Sequence, residues 1–129
     1  MSNSLSAARE EAWITGIGLV SSLGEGCASH WRILSGIDSP ANPVIDTQTY
    51  SPYAVHPLAN VDLSKQIAKR SDLRQMEGWQ RIGTYAAGLA LDDAGIKGEP
   101  ALLDSTIILA AAGNGERDPS ADGAVLSAI

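Results

Sequence analysis

The chain has 129 residues, 44% hydrophobic and 19% charged, with a formal net charge of −6 and a pI near 4.7. That length fits one domain, and the acidic balance argues against a general affinity for nucleic acid or anionic membrane. No apolar run approaches the ~20 residues that cross a bilayer, a lone cysteine excludes an internal disulfide and suits a cytoplasmic protein, and no Cys/His cluster has zinc spacing.

Met1 to Glu11 is polar and charged, has no apolar core of a secretory signal, and reads as a flexible tail before a domain spanning 12–129. The apolar run Ala12 to Thr15 reads as a strand that breaks at Gly16 and Gly18, then turns through Ser21, Ser22, Gly24 and Gly26 into a helix. The feature admits three explanations. A dinucleotide-binding loop needs G-x-G-x-x-G, but the third glycine position is Ser21, and the acidic residue at the right distance, Asp38, lies in a Pro-rich segment. A plain tight turn packing a helix on a sheet is the second. A family signature, taken up below, is the third.

The helix after the turn is expected from about Cys27 to Ser35, stopped by Gly36. Cys27, Trp31 and Leu34 fall at i, i+4 and i+7 on one apolar face, so Cys27 reads as packing rather than as a nucleophile. His30 lies off that face and reads as a solvated helix residue, not a general base. From Ile37 to about Ser71 the pattern is irregular, with four prolines and with Tyr50, Tyr53 and His56. Loops of that length are commonly functional or packed on a surface; His56, with no serine or cysteine in triad order, reads as structural.

Positive charge gathers next: Lys65, Lys69, Arg70 and Arg74 stand within ten residues of an otherwise acidic chain. A solvated face and a docking patch for an acidic partner explain this equally. A long helix is then expected from Leu73 to Ala94, with Asp72 and Gln75 as a capping box and Gly95 as the stop. Its Ala86, Ala90 and Ala94 form a stripe that lets another element approach closely, while Asp92 and Asp93 oppose the helix dipole and Lys97 can offset them. Thr106 to Ala112 reads as a strand buried on both faces, as in a parallel sheet; Gly113-Asn114-Gly115 ends it, and Ala121 to Ile129 begins a further helix.

Thr15-Gly16-Ile17-Gly18-Leu19-Val20-Ser21-Ser22-Leu23-Gly24 resembles the T-G-x-G-x-x-S-x-x-G signature of the β-ketoacyl synthases of the thiolase superfamily. Trp31 with Leu34, Ser35 and Gly36 follows at the family's distance, and Arg74-Gln75-Met76 and Leu89-Ala90-Leu91-Asp92-Asp93-Ala94-Gly95 resemble its second helix. The likeness runs from about Trp13 to Gly115. It implies an α/β protein, the N-terminal part of the first half-domain of a layered thiolase-like αβαβα fold. It also implies a cytoplasmic acyltransferase, dimeric when complete and using no cofactor, that performs decarboxylative Claisen condensation with acyl- and malonyl-loaded acyl carrier protein.

The resemblance makes Lys69, Arg70 and Arg74 candidates for carrier docking, although Ser71 and Gln75 stand where basic residues are often found. It places Glu116 at the acyl-chain pocket, where a charge is costly unless paired, so that a short or polar acyl group or a rearranged pocket becomes plausible. The family's reactive cysteine and two histidines match no position here; Cys27, His30 and His56 are not they. With only two expected strands, the chain reads as an incomplete, inactive N-terminal portion with uncovered apolar surface. A non-catalytic partner on the same scaffold is the alternative, and a nucleotide-binding oxidoreductase fragment a distant one.

Overall fold

A computed structural model describes residues 11–37, 44–113, 124, 127 and 128. The tail Met1 to Arg9 with Glu10, and likewise Asp38, Glu116 and most of the helix expected after Ala121, lie outside the described residues. The architecture is mixed: a two-residue antiparallel pair, β1 (Val20–Ser21) and β2 (Gly24–Glu25), then α1 (Gly26–Leu34), a 3-10 turn at Leu63–Lys65, α2 (Arg70–Gln75), α3 (Gly78–Asp93) and α4 (Pro100–Asp104).

Helix α1 starts where expected and ends as the glycine predicts. Gly36 takes φ +68 and its N–H reaches the Ile33 carbonyl at 3.2 Å, closing the last turn. The apolar face is not buried, however. Trp31 and Leu34 are exposed, and with Leu19 and the half-buried Cys27 they line an open hollow of about 460 Å³.

The long helix expected from Leu73 is in fact two helices. Met76 (ψ 138) and Glu77 (ψ 166) are extended and separate α2 from α3. Several polar groups freed by this break find partners nearby. Glu77 and Gln80, rather than Asp72 and Gln75, form the reciprocal capping box, with Glu77 N–H donating to Gln80 Oε1 at 2.8 Å. The Arg81 guanidinium donates to the Leu73 carbonyl at 2.9 Å, capping the end of α2. At its other end α3 stops as the sequence predicts. Gly95 takes φ +69, Ile96 N–H bonds Leu91 O and Gly95 N–H bonds Asp92 O, both at 3.1 Å, the two bonds of a Schellman cap.

Helix α3 organises the rest. Its Ala86–Ala90–Ala94 stripe receives the backbone of residues 16–18, the close approach that the small residues foretell. A Cβ added at Gly18 would overlap the Ala86 carbonyl oxygen and lie 2.7 Å from the Ala90 nitrogen. One added at Gly16 would overlap the Ala90 carbonyl and lie 2.6 Å from the Ala94 nitrogen. The Ile17 amide donates to Asp93 Oδ2 at 2.9 Å, so the carboxylate that looked like a dipole mismatch anchors this crossing.

The two expected strands are not formed among the described residues. Neither 12–15 nor 106–112 takes part in a ladder, and the pair that does form, β1 with β2, is antiparallel. A parallel pair is marginal without further strands and covering helices. The run expected to be doubly buried is open instead: Ile107, Ile108 and Leu109 are 84%, 86% and 93% exposed. Trp13 and Ile14 are likewise exposed, and the only buried hydrophobic residues among those described are Ile67 and Tyr85.

The glycine contact makes a paired prediction. Gly18→Ala should lower unfolding stability by about 2–3 kcal/mol, because the obstructing atoms are helix backbone and cannot swing away. Gly83→Ala, where an added Cβ meets nothing within 4 Å, should raise it by about 0.5–1 kcal/mol through helix propensity. Denaturant titration of the two variants checks both signs.

Candidate functional site

The basic segment follows from local structure. Asp62 Oδ1 accepts from the Ser64 N–H at 3.0 Å and caps the 3-10 turn, so the Asp62 carboxyl is held below its ordinary range, first by the Ser64 hydroxyl and then by that amide. Ile67 is buried and fixes the chain between the turn and α2. Arg70 and Arg74 then stand one helical turn apart on α2, both exposed, with Lys69 at the N-cap, and Arg74 Nε donates to the Arg70 carbonyl at 3.4 Å. The three candidate docking residues are therefore brought together. Asp72 in the first turn complements the helix dipole instead of capping it.

Lys65 behaves differently. Its ammonium lies 2.6 Å from Glu25 Oε1, at the end of β2. The other Glu25 oxygen accepts the hydroxyl of Tyr85, which is fully buried on α3. One carboxylate thus joins the hairpin, the 3-10 turn and α3. The Lys65 hydrogen bond and then that of Tyr85 hold Glu25 below the ordinary glutamate value of 4.5. Glu25 in turn raises Lys65, and burial, followed by the Glu25 hydrogen bond, raises Tyr85. A second crossing lies beside it. Gln66 donates to Asp92 Oδ2 at 2.7 Å, and Lys97 reaches both Gln66 Oε1 and Asp92 Oδ2, the latter at 2.9 Å. Asp92 is lowered by Gln66 first and Lys97 second, so Lys97 does offset it as expected. Gly88 makes room: a Cβ there would overlap the Gln66 amide.

Neither Glu25 nor Tyr85 is singled out by the sequence reading. The available signal was weak: a tyrosine amid the alanines and glycines of α3 must bury its hydroxyl against some acceptor.

The histidines take structural places. His30 is buried, which corrects the solvated reading; its face of α1 turns onto the hairpin. Its Nδ1 lies 2.7 Å from the Gly26 carbonyl, which can only accept, so Nδ1 carries the proton and Nε2 accepts from the Ser21 hydroxyl at 2.8 Å. Ser21 Oγ also accepts from the Leu23 amide at 3.0 Å, locking the tight turn. His56 ties the 44–58 loop together, its Nδ1 3.3 Å from the Val44 carbonyl. The Asp46–Val55 bridge closes that loop, and the Ala59 N–H to Ser21 carbonyl bond docks it on the turn. Cys27 donates weakly to the Ile17 carbonyl at 3.5 Å.

A larger cleft, about 670 Å³, runs between residues 108–113 and the Trp79, Ile82, Gly83, Thr84 and Ala87 side of α3. The glycines at 16 and 18 lie against α3, so the backbone a dinucleotide pyrophosphate would need is already covered. Among the described residues no His, Cys, Asp or Glu cluster could hold a metal ion, and no helix is long and apolar enough to cross a membrane. Comparisons with protein-family models, curated proteins and solved structures find no match to this chain.

Two predictions follow from these networks. Ser21→Ala leaves His30 Nε2 and the Leu23 amide without a partner and should cost about 1–2 kcal/mol, measured by denaturant unfolding. Because Glu25 titrates lower when folded, its contribution is complete above about pH 4.5 and drains away as pH falls through the lowered value. Lys65→Met removes the largest cause of that lowering, so its melting temperature should fall less than that of the parent between pH 6 and pH 3.

Proposed function

We propose that this chain is the opening part of a β-ketoacyl-acyl carrier protein synthase with a layered thiolase-like fold, acting in the cytoplasm as a dimer. The reaction is decarboxylative Claisen condensation, in which a cysteine holds the acyl group and two histidines stabilise the enolate and oxyanion formed from malonyl-carrier. The observation that carries this reading is the contact of Gly16 and Gly18 with Ala86, Ala90 and Ala94. The two stretches in which the resemblance is strongest meet face to face, at a separation that only their small residues allow.

Two further features support it. Trp13, Ile14, Ile107, Ile108 and Leu109 present uncovered apolar surface of the kind that adjoining strands and helices would bury. Lys69, Arg70 and Arg74 form an exposed cationic surface suited to an acidic carrier. Cys27, His30 and His56 already have structural partners, so condensation requires groups other than these. A non-catalytic carrier-binding partner on the same scaffold is the second reading. It is favoured by the thinning of the basic patch, where Ser71 and Gln75 are neutral and Lys65 is taken by Glu25.

The native protein bearing these residues should accept a labelled acyl group from acyl carrier protein onto a cysteine. Carrier binding without any cysteine-bound acyl group would exclude the catalytic reading and leave the scaffold one. Arg70→Glu with Arg74→Glu should weaken carrier binding by about tenfold in low salt, with the difference shrinking as salt rises; an unchanged affinity removes this surface from docking.

A further inference from the structure

Of the four cations that the sequence gathers between 65 and 74, three are exposed and have no carboxylate partner among the described residues: Lys69, Arg70 and Arg74. The fourth, Lys65, is held 2.6 Å from Glu25. Glu25 is not a mobile surface anion. Its backbone belongs to β2, paired with Val20, and its second oxygen takes the hydroxyl of buried Tyr85. Lys65, by contrast, keeps a long side chain that is 55% exposed against 33% for Glu25. Its backbone is set close to α2, since Gln66 is tied to Asp92, Ile67 is buried, and Lys69 is four residues on. Four residues span at most about 14 Å, comparable to the distance over which salt screens a charge. Asp62, capping the same turn, is the other carboxylate acting on Lys65.

We infer that Glu25 is a built-in counter-charge that keeps Lys65 out of the docking surface, and so sets how strongly that surface attracts an acidic partner. The inference rests on the carrier-docking reading above. Tyr85 fixes the anion from the buried side, and Lys65 answers it from the solvent side. Removing the anion returns Lys65 to the cationic surface, whereas removing both members of the pair changes little there, because together they carry no net charge. Lys65 and Lys69, equivalent in the sequence, therefore differ in docking: one brings a neutral pair to the surface, the other a net charge.

The test is a double-mutant cycle on the native protein, with malonyl-acyl carrier protein as the probe and binding followed by fluorescence anisotropy at two salt concentrations. Glu25→Gln should tighten binding about two- to fivefold at low salt and steepen its salt dependence. The double variant Glu25→Gln with Lys65→Gln, which removes a neutral pair, should stay within about 1.5-fold of the parent, and Lys65→Gln alone, which leaves Glu25 uncompensated, should weaken binding. Lys69→Gln should weaken binding by about two- to fivefold. A loss in the double variant as large as that of Lys69→Gln overturns the inference. So does an affinity in Lys65→Gln equal to that of the parent, an arm that stands even if Glu25→Gln fails to fold. If Arg70→Glu with Arg74→Glu weakens binding while these variants behave otherwise than stated, the counter-charge fails and docking survives. If that pair has no effect, docking fails and the counter-charge falls with it.

Discussion

Most of what is ordered here depends on one contact, the backbone of residues 16–18 lying directly on the alanine stripe of α3. No Cβ fits between them, so the crossing exists only because glycine meets alanine at two successive turns. Dispersion between closely packed backbones holds such a crossing, and the Ile17 amide bound to Asp93 sets its register. Once the N-terminal segment is seated, the hairpin that follows it is brought within reach of Tyr85, and the Glu25 carboxylate can close on that hydroxyl.

From there α3 serves three neighbours with three faces. Ala86, Ala90 and Ala94 take the N-terminal segment, with Tyr85 bonding Glu25 of the hairpin that follows it; Arg81, Gly88 and Asp92 take the segment carrying the basic residues; and Trp79, Ile82 and Ala87 face residues 108–113 across a cleft. The first two faces are closed by specific polar bonds, the third by none among the described residues. The imbalance explains why so few side chains are fully buried, and why the apolar runs at 12–15 and 106–112 lie open. A strand satisfies its backbone only through neighbours, and no ladder reaches these two. Open apolar runs beside a well-satisfied helix are what an incomplete layered sheet would leave, which is why the synthase reading accommodates them.

Much of the helical part was legible. Gly36 and Gly95 were readable as stops because a left-handed residue after a helix is a local requirement, and the stripe at 86, 90 and 94 was readable because small residues at that spacing have few other uses. The break at Met76–Glu77 was not. Leu73 to Ala94 contains no proline to mark a break, and two capping boxes competed for the start. Glu77 with Gln80 prevailed over Asp72 with Gln75 because Arg81 could cap the helix end left behind, a bond that joins residues eight apart and leaves no mark on periodicity. His30 was misjudged for a related reason. Its burial follows from where the Ser21 hydroxyl points, not from its own place on the helix wheel.

The candidate surface divides along the same line. By itself the sequence determined the clustering of cations, the glycine turn, the helix stops and the small-residue stripe, since each is a property of neighbours along the chain. Only the tertiary structure decided which cation remains available: Glu25 and Lys65 lie forty residues apart, Glu25 and Tyr85 sixty, and no spacing rule relates them. A charge acquires its role from the charges nearest in space, and those are chosen by packing on α3.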